Sequence, residues 1–376
     1  MTQPIIETRQ LAAGYNGKAL LEGVSVSVRP GQVVTLIGPN GAGKTTLLKT
    51  LAGLIPPVEG SISICGQDLG QMEARQAASY ISVVMTRPPD PELMSAFEVA
   101  AAGRYPFTGT FGMLSDEDRK KTMAAMEMTG TAHLAGSAFT TLSDGQKQRV
   151  MLARAICQEP KVMILDEPAS FLDIRHKLAL LKILEDLAGK EKLAVIMSLH
   201  ELDLAMKISD MILCVRNGHI ERAGAPEEIF KDDYIRCLYE LETGSFLSGS
   251  GSLELSGASG GARAFVIGGG GSGFALYRRL QRLGIPFEAG ILPENDVELP
   301  AASALAVSVI TGKAFEAFPD ELMQSARDRI TACGRVIIAS TDIDKIGAQN
   351  ASLAGWASDR GIIVTKELPK EWADGI

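Results

Sequence analysis

The chain begins with short alternating segments. Val24-Ser25-Val26-Ser27-Val28 places apolar side chains on one face and serines on the other, the period of a half-buried strand. Residues 5–35 as a whole predict an antiparallel β region. Three later runs lack that alternation: Val33-Val34-Thr35-Leu36-Ile37, Val162-Met163-Ile164-Leu165 and Val195-Ile196-Met197-Ser198-Leu199. They are apolar almost throughout, as strands covered on both faces are. Residues 88–160 read mainly helical, with apolar positions at helical spacing over 120–129 and 146–157. Strand–helix alternation returns over 161–222. It ends in Met211-Ile212-Leu213-Cys214-Val215 and His219-Ile220-Glu221-Arg222, joined by Asn217-Gly218, which predicts a hairpin. Residues 226–241 close this region as helix.

The composition then changes. Residues 245–263 are rich in Gly and Ser, the composition of a flexible linker, although Glu254 and its neighbouring leucines leave a short strand open. Beyond it, strand, glycine turn and helix alternate. The predicted strands are 264–267, 286–292, 304–310, 335–340 and 361–364; the helices are 274–283, 320–332 and 353–360. That pattern argues a small doubly wound α/β domain. The expected organisation is therefore one domain over 1–243, a linker over 244–262 and a second domain over 263–376.

Composition narrows the function. A chain of 376 residues with 46% hydrophobic content can build two cores. No apolar run approaches the ~18–20 residues of a membrane span, and the first ten residues lack a signal-peptide pattern. A soluble protein is expected, so any pore must come from another polypeptide. A net charge of −8 and a pI near 5.3 argue against free nucleic-acid binding. The five cysteines are dispersed and odd in number, which suggests reduced thiols in a cytosolic protein. The four scattered histidines make a zinc site improbable.

The chemistry concentrates after the three buried strands. Residues 38–46 read Gly38-Pro39-Asn40-Gly41-Ala42-Gly43-Lys44-Thr45-Thr46, between a strand and a helix. Successive backbone N–H groups and a helix N-terminus converge there on an anion. Lys44 can reach the β- and γ-phosphates of a nucleotide, and the Thr45 hydroxyl can ligate Mg²⁺. Asp166 ends the second strand, where it can hold Mg²⁺ through water, and Glu167 can orient and polarise the attacking water. His200 ends the third strand and can contact the γ-phosphate. An Asp-Glu pair alone is usually a solvated loop and a lone His usually structural; their order after a phosphate loop changes the reading. Leu142-Ser143-Asp144-Gly145-Gln146 adds a serine-glycine turn that a phosphate loop alone does not need.

On these motifs, residues 5–243 resemble the ATP-binding cassette (ABC) ATPases. Residues 38–45 match Walker A, 162–166 match Walker B, and Glu167 matches the catalytic glutamate. Ser143, Gly145 and Gln146 look like the signature sequence, with Asp144 where glycine is more usual. Ser170-Phe171-Leu172-Asp173 looks like the D-loop, His200 like the switch histidine, and Tyr15 like the aromatic that stacks on adenine. The resemblance implies a P-loop NTPase fold with a β subdomain and a helical subdomain, and ATP and Mg²⁺ as cofactors. It also implies a head-to-tail homodimer in which each ATP lies between one subunit's residues 38–46 and the other's 143–146. The family usually places a glutamine after the strand Ile81-Ser82-Val83-Val84; here Thr86 stands there, and Arg87-Pro88-Pro89 follow.

The stretch 97–106, with Gly103-Arg104-Tyr105-Pro106, is similar to the ATPases of importers for iron–siderophore complexes, haem and vitamin B12. An ordinary helical subdomain with an exposed arginine is the plainer reading. The importer reading implies membrane permease subunits, a substrate-binding protein and a place on the cytoplasmic face of the membrane, with residues 86–94 in the permease groove. The rival is a soluble ABC ATPase acting on nucleic acid or ribosomes, which would be expected to carry two cassettes or a long coiled-coil insertion. In the second domain, Gly268, Gly270 and Gly273 form Gly-x-Gly-x-x-Gly, which reads either as a nucleotide or anion site or as a tight packing turn. Glu288 stands near the distance of a ribose-binding acid. The domain shows no acid–base or nucleophile constellation, so a regulatory role is expected.

Overall fold

The computed structural model describes residues 3–86, 91–109, 111–249, 251–340 and 346–373. The chain forms two compact units, Met1–Tyr239 and Glu240–Ile376.

The first unit holds two sheets and a helical layer. Lys18–Val24, Ile6–Tyr15, Glu59–Ile64 and Gln67–Asp68 lie side by side, with Ser27–Val28 also paired to Ile6–Tyr15; every pairing is antiparallel. The second sheet runs His219–Gly224, Met211–Arg216, Val33–Ile37, Ala194–Ser198, Val162–Asp166, Ile81–Val84. All its neighbours are parallel except the hairpin at the edge. Asn217 and Gly218 both have positive φ at that turn, as Asn-Gly predicts. Every residue of Val33–Ile37, Val162–Asp166 and Ala194–Ser198 is buried, which explains their unbroken apolar character.

Three helices of the helical layer start the same way. Ser95, Ser115 and Ser143 each cap a helix (Ala96–Ala101, Asp116–Met128, Asp144–Cys157), with Glu98, Asp118 and Gln146 completing reciprocal capping boxes. Arg104 is not the exposed arginine of the plainer reading. Its side chain is 5% exposed, and it donates to Asp118 at 2.8 Å, to the Cys157 carbonyl at 2.7 Å and to Glu159 at 3.1 Å. Hydrogen bonds from Ser115, then from Arg104, lower the Asp118 pKa to about 2.

The second unit has one all-parallel sheet in the order Ser308–Gly312, Phe287–Pro293, Ala264–Ile267, Arg335–Ile338, Ile363–Thr365. Ala264 and Val266 enter one core cluster, Phe265 and Ile267 the other, so the central strand is covered on both faces. This is the doubly wound fold expected. Two expectations fail. Residues 304–310 are not one strand: the helix Leu299–Leu305 comes first, with Pro300 in its opening turn, and the strand begins at Ser308. The alanine-rich apolar run carries no period that separates the two states. Residues 244–262 are not a featureless linker. Ser245–Leu247 pairs antiparallel with Ser252–Glu254, Phe246 and Leu247 are buried, and Glu254 is ion-paired with Arg278. A few apolar and charged side chains in a Gly/Ser-rich stretch were enough to build a packed hairpin.

Candidate active site

The sheet order collects the motif residues. Val33–Ile37, Ala194–Ser198, Val162–Asp166 and Ile81–Val84 are consecutive parallel neighbours, so the segments after their carboxyl ends share one edge. Crevices at such strand ends are where open α/β sheets bind ligands.

The loop after Val33–Ile37 needs its glycines. Gly38 has φ 140°, and a Cβ there would lie 2.1 Å from the Val215 carbonyl oxygen; at Gly43, φ 99°, it would lie 2.0 Å from Leu21. The helix Lys44–Leu51 that follows has no side-chain cap, so its first N–H groups stay open to an anion. Lys44 is buried, and its Nζ donates to the carbonyls of Gly38 at 2.6 Å and Pro39 at 2.9 Å. Burial lowers its pKa, opposed by the charges of Glu167 and Asp166. A desolvated ammonium over an amide-lined loop is complementary to phosphate oxygens.

Asp166 is the hub. Its carboxylate accepts from Thr45 Oγ1 at 3.1 and 3.0 Å, from Ser198 Oγ at 2.8 Å and from Thr86 Oγ1 at 2.9 Å. Carboxylate and hydroxyl oxygens converging at the mouth of the phosphate loop are the donor set a hard cation prefers, so the residues fit Mg²⁺. Among the described residues no group of three or more His, Cys, Asp and Glu could hold a metal.

Glu167 follows with φ 49°, a left-handed conformation uncommon for a non-glycine residue and characteristic of functional turns. Its amide donates to Ser198 Oγ at 3.0 Å, which anchors that backbone. Its carboxylate lies 2.6 Å from His200 Nε2 and accepts from Ser170 Oγ at 3.1 Å. His200 therefore meets Glu167 here rather than standing alone. A carboxylate held by an imidazole and a hydroxyl is oriented, as a water-polarising base must be.

The structure thus brings together Lys44, Thr45, Asp166, Glu167 and His200. Gly38 and Pro39 join them through the Lys44 ammonium, and Tyr15, Ser143, Gly145 and Gln146 have other surroundings. Tyr15 is half exposed at the end of Ile6–Tyr15. Ser143 and Gln146 bond to each other: the Ser143 amide donates to Gln146 Oε1 at 2.9 Å and the Gln146 amide to Ser143 Oγ at 3.4 Å. A Cβ at Gly145 would come within 3.1 Å of the Phe171 carbonyl oxygen. Asp173, the last residue of the 170–173 segment, caps the helix Ile174–Glu191. Of the expected permease segment, residues 87–90 lie outside the described residues.

Two contributors went unnoticed in the sequence. Ser198 ties Asp166 to Glu167; its signal was a hydroxyl inside an otherwise apolar run, now fully buried. The Tyr239 hydroxyl accepts from the Gly38 amide at 3.1 Å across 201 residues, which no local pattern could reveal.

Comparison with known proteins gives the family. Residues 21–170 match the ABC transporter family model. An ABC transporter ATP-binding protein of Methanocaldococcus jannaschii is 36% identical over 277 residues, covering 73% of this chain and 96% of the relative. The chain belongs to the ABC transporter ATP-binding family. It is an ATP-binding, ATP-hydrolysing enzyme. The cobalamin import ATP-binding protein of Halobacterium salinarum is 32% identical over 378 residues, covering 95% of this chain and 91% of the relative. The ferric enterobactin transport ATP-binding protein of Escherichia coli is 34% identical over 243 residues, covering 64% of this chain and 90% of the relative. A solved Clostridium perfringens cassette, part of a transporter complex, aligns with TM-score 0.54 and 27% identity over 62% of this chain and 93% of its own. Residues 287–374 match the MJ0874 family.

The glycine turn of the second unit behaves differently. The Gly270 amide donates to Asp296 at 2.9 Å and the Gly273 amide donates to Glu298, which is fully buried and also accepts from the Tyr277 hydroxyl. Burial raises the Glu298 pKa, opposed by its bond from Gly273. Carboxylates of the same chain hold two of the amides a phosphate would need, the arrangement of a packing turn. Glu288 is the second residue of Phe287–Pro293, not its end, and lies 3.6 Å from Arg329.

Proposed function

We propose that the protein is the ATPase subunit of an importer for a cobalamin-type corrinoid, acting as a homodimer against membrane permease subunits on the cytoplasmic face. The observation that carries the cargo is coverage. The cobalamin relative aligns over 95% of this chain, both units included, whereas the siderophore relatives align over 63–64%. Among the described residues no helix is long and apolar enough to cross a membrane, which suits a subunit that borrows its pore. In this reading a permease covers some of the exposed apolar side chains Leu93, Tyr105, Phe107, Phe111 and Met113.

In this reading the loop amides and Lys44 bind the β- and γ-phosphates, and Tyr15 stacks on adenine. Thr45 and Asp166 would hold Mg²⁺, which supplies neutralisation of phosphate charge. Glu167, oriented by His200 and Ser170, takes the proton of the attacking water. Ser143 and Gly145, away from the loop of their own chain, face the nucleotide of a second copy. Thr86 is shorter than the usual glutamine but already bonds to Asp166, so it keeps a line from the permease-facing segment to the metal position. Delivery of substrate to the permease falls to a separate binding protein.

The test is ATPase activity of the chain co-reconstituted with its permease in liposomes. Stimulation by cyanocobalamin-loaded binding protein and none by a ferric siderophore supports the reading. Stimulation by the siderophore complex alone removes the corrinoid.

A further inference from the structure

The first unit has a cleft of about 450 Å³, open on one side, between the helix Asp144–Cys157 and the helix Ile174–Glu191. None of the residues placed around the nucleotide lines it. Its floor is apolar: Leu152, Leu165, Leu172 and Leu180 are all buried. Its rim is polar and holds two guanidinium groups, those of Arg149 and Arg175, with Glu127 at the exposed edge.

Three features call for a ligand. Gln148 is 3% exposed, lines the cavity, and its Oε1 has no hydrogen-bond partner; its amide group makes only a long contact with the Pro168 carbonyl. An unsatisfied buried acceptor costs free energy until a donor arrives. The Nε of Arg149 is likewise buried without a partner. Burial destabilises the Arg149 charge; Asp173 opposes this and Arg175 adds to it. Asp173 is itself engaged with the His176 amide at 2.9 Å and ring nitrogen at 2.8 Å. The volume falls in the range that takes a small molecule.

We propose that this cavity binds a small apolar molecule carrying one anionic head group and one hydrogen-bond donor, and that its occupancy tunes ATP turnover. The head group meets Arg149 and Arg175, the donor meets Gln148 Oε1, and the apolar body covers the leucine floor. The walls explain the coupling. One begins at Ser143 of the signature turn, the other at Asp173 of the D-loop, so a ligand bracing them acts on both segments that the ATP cycle uses. The turnover part rests on the ATPase reading; the binding part does not.

The probe is 1-anilinonaphthalene-8-sulfonate, which has a sulfonate, an N–H and an apolar body, compared with uncharged N-phenyl-1-naphthylamine. Fluorescence titration of the full chain should show one sulfonate site per chain, about tenfold tighter than the uncharged probe. Arg149→Gln and Arg175→Gln should each remove most of that difference and leave the uncharged probe unchanged. Ala179 lines the cavity from an exposed helix position, so Ala179→Trp should fill it without disturbing the core and abolish binding of both probes. Saturating sulfonate should change the ATPase rate of the native chain and not of Ala179→Trp. Equal binding to native chain and Ala179→Trp, or equal affinity for both probes, overturns the site. Binding with no change in turnover overturns the coupling.

Discussion

The chain has two strand–glycine–helix turns, and they do opposite things. At residues 38–45 the amides and the uncapped start of Lys44–Leu51 have no carboxylate upon them among the described residues, and a buried lysine leans over the loop. At 268–273 Asp296 and Glu298 already occupy the amides, and the helix Phe274–Arg282 begins without lysine or hydroxyl. Glycines permit a close approach of backbone to anion in both places. What decides between binding and packing is whether another part of the chain supplies the anion. Gly-x-Gly-x-x-Gly cannot show that, because Asp296 and Glu298 come from beyond the next strand.

The contrast can be broken at either turn. The largest effect belongs to Glu167→Gln, which removes the oriented base and keeps the loop. Turnover should fall by at least about 100-fold in a steady-state assay while ATP remains bound. Native-like turnover would falsify the assignment of the base. Next comes Lys44→Ala, which should weaken ATP binding by about ten- to a hundredfold in calorimetry through loss of a charge-assisted contact.

A third change probes the scaffold that carries Ser143. Asp118→Asn leaves Arg104 short of a buried partner and should cost about 2–3 kcal/mol in urea unfolding. The native Asp118 pKa is depressed, so its stabilisation is present above the ordinary carboxylate range and lost as pH falls toward about 2. An unfolding midpoint unchanged by the substitution removes the buried pair from the account.

The smallest effect is at the second turn. The Glu298 pKa is raised, so its contribution has the opposite sign: stability of that unit is greater at low pH and declines as pH rises from the ordinary carboxylate range through the raised value. Glu298→Gln should flatten that slope and change stability by under about 1 kcal/mol near neutrality. A slope unchanged by the substitution assigns the pH dependence to another group.

Much of this was legible in the sequence because it is local. Unbroken apolar runs marked Val33–Ile37, Val162–Asp166 and Ala194–Ser198 as covered strands, and the residues just after them as the site. What stayed hidden depended on distant contacts. The plainer reading left Arg104 exposed, whereas Asp118 and Glu159 enclose it. Residues 244–262 read as linker with only a short strand left open at Glu254, because glycine and serine dominate, yet Phe246, Leu247 and Glu254 suffice to pack a hairpin. The strand predicted over 304–310 failed because alanine-rich apolar runs suit helix and strand alike until the fold chooses.

The most direct test of the central claim counts nucleotide per chain. Equilibrium binding of MgATP to the Glu167→Gln chain should saturate at one nucleotide per chain, with an affinity that falls about ten- to a hundredfold in the combined Lys44→Ala, Glu167→Gln variant. Two nucleotides per chain, or one whose affinity is unchanged by the loss of Lys44, would place a nucleotide on the second turn and contradict the division of roles drawn from Asp296 and Glu298.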